Sequence, residues 1–121
     1  MKKLLIGLFG ILLSFNSYSE VPAPANYQWY GPYTIKSVAR YINRIHSVTI
    51  TVNDNLETTC DFNNTTKTLT NVHDNHVNVD GIYGGGLTAQ AQNKKVKLLL
   101  GSTCVANKGL DLLGIEILSD N

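Results

Sequence analysis

The chain reads as a small α+β domain, mostly β: a Greek-key barrel with one short helix and one disulfide. Three observations predict this. Short β-branched or apolar runs recur at 34–42, 47–52, 56–62, 94–102 and 110–118. One glycine-containing segment with helical spacing, 81–92, interrupts them late in the chain. The only two cysteines, Cys60 and Cys104, close two of the strand-like runs. Strands broken by a single late helix give an α+β layer or a Greek-key barrel.

The N-terminus reads as a signal peptide. Lys2 and Lys3 precede an apolar stretch, residues 4–15. That stretch is shorter than the roughly 20 residues a membrane-spanning helix needs. Ser17 and Ser19 are the small residues a signal peptidase requires, which sets cleavage between Ser19 and Glu20. Removing residues 1–19 from 121 leaves 102, the size of one domain. Within it, 20–30 reads as an extended arm because Pro22 and Pro24 disfavour helix and ladder alike. Residues 31–121 form the folded domain. The expected location is periplasmic or secreted, with no membrane span in the mature chain.

Charge narrows the function. Without Lys2 and Lys3, eight basic residues face nine acids, a net charge of −1. A near-neutral chain with dispersed charge lacks the basic footprint of a nucleic-acid binder. In an exporting, oxidising route two cysteines pair, so Cys60–Cys104 is expected as a disulfide. Closing a loop of that length stabilises by about 3–4 kcal/mol in the chain-entropy model.

The elements follow in order. Residues 27–33 hold four aromatics, Tyr27, Trp29, Tyr30 and Tyr33. They either close one end of the core or form a ligand platform, with Trp29 and Tyr33 as the candidates. Residues 34–42 read as a strand with a bulge near Ser37 and Val38, which reconciles an imperfect alternation. Residues 43–46 turn. In 47–52, Val48, Ile50 and Val52 point one way and Thr49 and Thr51 the other. Asn53-Asp54-Asn55 is a hairpin loop into a strand over 56–62.

Residues 63–80 read as a long polar loop with a weak strand at 66–72. In 81–92, Gly84-Gly85-Gly86 weaken a helix by about 1 kcal/mol each relative to alanine. If the helix forms, that face packs closely on the sheet, and Asn93 caps its C-terminus. Residues 94–102 are a buried strand with Lys95 and Lys97 on its wet face. Residues 106–109 turn, and 110–118 are a last strand carrying Leu113, Ile115 and Ile117 on one face.

No coherent catalytic set emerges. His73, Asp74, His76 and Asp80 cluster in the polar segment. Asn78-x-Asp80-Gly81 has the order of a calcium-loop centre, but the first ligand position would be His76 and the twelfth Leu87, so an EF-hand is rejected. His73 and His76 lack the partners of a zinc site. The glycines at 81–86 lack the Lys-Ser/Thr ending of a phosphate loop, and no serine sits in a nucleophile elbow. His46 beside Ser47 is no dyad by adjacency alone. The expectation is no catalytic residues, no metal and no cofactor.

In order, an aromatic-glycine segment at Gly31, Cys60, the strand Lys94-Lys95-Val96-Lys97-Leu98, Gly101 and Cys104 resemble small exported proteobacterial proteins of uncharacterised families. They also resemble the OB-like B subunits of AB5 toxins of the subtilase-cytotoxin type. That resemblance implies a five-stranded barrel with one helix, ring assembly as a homo-oligomer, and glycan binding without catalysis. The expected function is a non-enzymatic exported binding domain for a protein or glycan. The alternatives are a periplasmic inhibitor or chaperone-like partner of another secreted protein, and a small hydrolase using residues 73–80.

Overall fold

The computed structural model describes residues 21–56, 68–73, 76–105 and 109–120. The expected signal peptide (1–19), Cys60 and all but Leu56 of the strand expected over 56–62 lie outside them. The elements are β1 (Tyr27–Tyr33), β2 (Ile35–Asn43), β3 (Ile45–Val52), β4 (Thr68–His73), α1 (His76–Ala91), β5 (Val96–Val105) and β6 (Gly109–Ile117). The described chain is thus mostly β with one helix. Tyr27–Tyr30, assigned to the arm by sequence, belong to β1 and pair with β5.

The strands make one sheet in the order β1-β5-β6-β4-β3-β2. The closed barrel is corrected here: among the described residues six strands form an open sheet with β1 and β2 as its edges. The cause lies at Thr34. Its N–H donates to Asp54 Oδ2 at 2.7 Å instead of continuing a ladder. The aromatic run and the run after it then go to opposite edges, β1 onto β5 and β2 onto β3. Only Thr34 separates them in sequence, so the sheet curls until its two edges approach each other at that residue. The β4–β6 pair is parallel and the other pairs are antiparallel.

Alternation sets the core face. Val48, Ile50 and Val52 are buried as their spacing requires, and Val38 lies opposite Ile50. The β2 bulge falls between Ile35 and Ser37, slightly ahead of its expected place. On β5, Val96, Leu98 and Leu100 are buried. The phase of β6 differs from expectation. Leu110 and Leu112 face the core, a register shift follows, and Ile115 packs on the core while Ile117 is exposed.

The weak strand expected over 66–72 is β4, and this polar segment takes an interior place between β3 and β6. Its Thr70 is fully buried, and its hydroxyl meets Thr49 Oγ1 at 3.2 Å. A buried hydroxyl with a partner avoids the desolvation cost that would otherwise exclude it.

The helix starts at His76, five residues before the expected 81, so part of the presumed polar loop is helical. Its buried face is Val79, Ile82, Gly86 and Ala89. A Cβ on Gly86 would stand 3.1 Å from Val38 Cγ2, so close approach explains that glycine. Asn93 caps the end at φ 54°, with Lys94 N–H donating to Ala89 O and Asn93 N–H to Gln90 O. This is the Schellman pattern with asparagine in the left-handed position.

Candidate functional site

The β1–β2 corner holds a hollow of about 390 Å³, lined by residues 28–33 together with Asp54 and Asn55. Backbone geometry makes it. Gly31 sits at φ 131°, and a Cβ there would lie 2.8 Å from the Val96 carbonyl oxygen. Only glycine meets both conditions. The register of β1 on β5 breaks between Tyr30 and Tyr33, so the strand leaves the ladder at Gly31-Pro32. Asp54 forms the opposite wall, held through one oxygen by Thr34 N–H.

The two candidate aromatics part company here. Tyr33 is 6% exposed and belongs to the hydrophobic core, so it backs the hollow and offers no stacking platform. Trp29 is half-buried on the face of the sheet opposite the core. Its ring edge comes within 3.6 Å of where a Gly114 Cβ would stand, and it pairs in register with Leu99. Its indole N–H is buried and has no hydrogen-bond partner among the described residues. A buried donor left unpaired costs about 1–3 kcal/mol. Such groups are therefore rare, and each calls for a structural reason.

Hydroxyl and carboxylate groups continue across the same outer face. Tyr27 O–H donates to Asp111 Oδ2 at 2.6 Å. That bond, with burial and the aspartate's charge in support, raises the Tyr27 phenol above its ordinary value. Asp111 lies beside Thr70 in register, Thr70 meets Thr49, and Thr49 meets Tyr41 O–H at 3.3 Å. Tyr27 and Trp29 end this polar row on β1.

The histidine segment resolves differently. His73 ends β4 and His76 begins α1. Asp80, one turn along α1, accepts from Arg40 Nε at 2.8 Å and lies 3.5 Å from His76 Nδ1. The Arg40 hydrogen bond is the main reason the Asp80 carboxyl is held below its usual range. Sequence reading missed two members of this corner. Arg40 Nη2 lies 2.7 Å from His46 Nδ1, and the His46 and His76 rings stand 5.4 Å apart between centroids. The hairpin itself carried the signal. Arg40 and His46 share the face of Val38 and Val48, so the core side of β2–β3 ends in a charged rim.

Among the described residues no three His, Cys, Asp or Glu side chains are grouped to hold a metal ion. No described helix is long and apolar enough to cross a membrane. Cys104 lies exposed near the end of β5 and is not a free thiol. The chain matches no model of a known protein family, and no curated protein matches it.

Proposed function

We propose that this is an exported, non-enzymatic binding domain whose ligand is a glycan, held in the hollow beside Trp29. One observation carries the reading: an indole N–H that is buried yet unpartnered among the described residues, on a half-exposed ring beside an open hollow. Sugars present flat C–H faces to aromatic rings and hydroxyls to amides and carboxylates. Gln28, Asp54 and Asn55 supply those polar groups. Among the described residues Asp54 is the only charged lining residue, which favours neutral or amino sugars over sialylated ones.

The rest of the proposal concerns the scaffold. Residues 1–19 direct export to the periplasm or beyond, and Cys104 pairs with Cys60. An OB-like topology is supported by one bent strand serving both sheet edges, one parallel pair, and a helix between β4 and β5. Counted that way, β1 and β2 are a single strand of five. The OB-like reading brings with it assembly as a homo-oligomeric ring.

A glycan array with the mature protein, paired with size-exclusion chromatography, tests this. Neutral glycans should bind, and Trp29→Ala should lower the signal at least about tenfold. A strict monomer with no glycan signal would overturn the toxin-like reading.

A further inference from the structure

Tyr27 and Trp29 lie side by side on the outer face of the sheet, and the hollow borders only Trp29. We propose that the binding site runs on from the hollow along β1 to Tyr27, so that its ligand is a neutral oligosaccharide and not a single sugar. This rests on the glycan reading of the hollow and adds a second sugar position to it.

The strand order dictates how the rings lie. Both residues stand on β1, and β5 separates that strand from β6. The Tyr27 hydroxyl nevertheless reaches Asp111 on β6, at 2.6 Å. Neighbouring strands are about 4.8 Å apart, so the phenol has to lie down across β5 to make that bond. Gly101, its partner in register on β5, makes the room: a Cβ there would stand 3.0 Å from Tyr27 Cε2. The φ of Gly101 lies outside the left-handed region, so the ring above it, and not the backbone, calls for glycine. Trp29 lies the same way. It pairs with Leu99 on β5, and its Cη2 comes within 3.6 Å of where a Gly114 Cβ would stand on β6.

Residues two apart on a strand share a face and stand about 7 Å from each other. Each ring therefore turns one broad side to the sheet and the other outward, in line along β1. Both residues stay partly exposed. Consecutive units of a sugar chain present C–H faces that such a row of rings can take up, one unit on Trp29 and the next on Tyr27.

Asp111 completes the second position. Tyr27 holds one of its oxygens, and among the described residues no side chain bonds the other. A carboxylate oxygen accepts a sugar hydroxyl as a charge-assisted hydrogen bond. Asp111 thus fixes the Tyr27 ring and also bonds the unit stacked on it. Asp54 at the hollow and Asp111 beyond Tyr27 place negative charge at both ends of the path, which disfavours acidic glycans along its length.

Chain length is the variable that tests this. Trp29 emission is followed while the mature protein is titrated with the mono-, di- and trisaccharides of glucose, galactose, mannose and N-acetylglucosamine. In at least one series the disaccharide should bind about tenfold more tightly than its monosaccharide, the gain expected of one aromatic contact and one charge-assisted hydrogen bond. Tyr27→Ala should abolish that gain and leave the monosaccharide affinity unchanged. Equal affinity of mono- and disaccharide throughout, or a gain that survives in the variant, would overturn the second position and leave the Trp29 site standing. Emission that no sugar alters would remove the Trp29 site and the extension together. A measurement on the wild type needs no variant to fold: nuclear Overhauser contacts from the Tyr27 ring protons to the second unit of the bound disaccharide are expected, and contacts from Trp29 alone would overturn the proposal.

Discussion

The two ends of β2 solve opposite problems. At its Ile35 end, backbone geometry makes an empty space: Gly31 at φ 131°, the break in the β1 ladder, and Asp54 across from them. At its far end, side chains fill the space and bind one another, with Arg40 joined to Asp80, His46 and the Tyr41 carbonyl. The first end leaves an indole donor without a partner among the described residues. The second commits its polar groups to one another.

The largest expected effect acts on both ends together. Reducing the proposed Cys60–Cys104 bridge should lower stability by about 3–4 kcal/mol, read from urea unfolding with and without reductant. An unchanged midpoint would mean that the bridge is absent or idle. Next in size, Gly31→Ala should separate the two ends. It forces a side chain into a left-handed backbone and against the Val96 carbonyl at 2.8 Å, at a cost of about 2 kcal/mol. Its effect should be confined to the hollow, leaving the Arg40–Asp80 contact between β2 and α1 intact. If that contact were also lost, the ends would be coupled and the comparison would fail.

Tyr27→Phe is smaller, about 1 kcal/mol for one partly buried hydrogen bond. The sign of its pH dependence follows from the raised phenol. The bond to Asp111 stabilises fully below the ordinary tyrosine value and is lost as pH rises through the raised one. Wild-type stability should therefore fall above about pH 10, and that slope should be absent in the variant.

Much of this was legible in the sequence for definite reasons. The strict alternation of Val48, Ile50 and Val52 leaves no other face to bury, and the observed burial follows it. Of the glycines within 81–92, Gly85 and Gly86 meet the expected close packing, against Ile115 and Val38, whereas Gly81 and Gly84 have nothing within 4 Å. Asn93 was legible as a cap because few residues accept φ 54°. β4 was faint, legible only as a weak strand over 66–72, because its buried threonine is satisfied by a residue twenty-one positions away. The β6 phase was hidden because its register shift depends on a neighbouring strand.

The candidate site was legible only as an aromatic run. Four aromatics in seven residues pointed to Trp29 and Tyr33 together, yet the ladder break at Gly31-Pro32 sends Tyr33 into the core. The Arg40–His46 contact depends on hairpin register, which was set one turn too loosely: the strands close around Arg44 alone.

Trp29 is the only tryptophan in the chain, so its fluorescence reports on the hollow alone. The most direct measurement titrates the mature protein with neutral oligosaccharides and, in parallel, with sialylated ones, while following that emission. A saturable shift with a neutral glycan, and none with its sialylated counterpart, is the predicted result. Emission that no glycan alters would contradict the assignment of the hollow as the binding site.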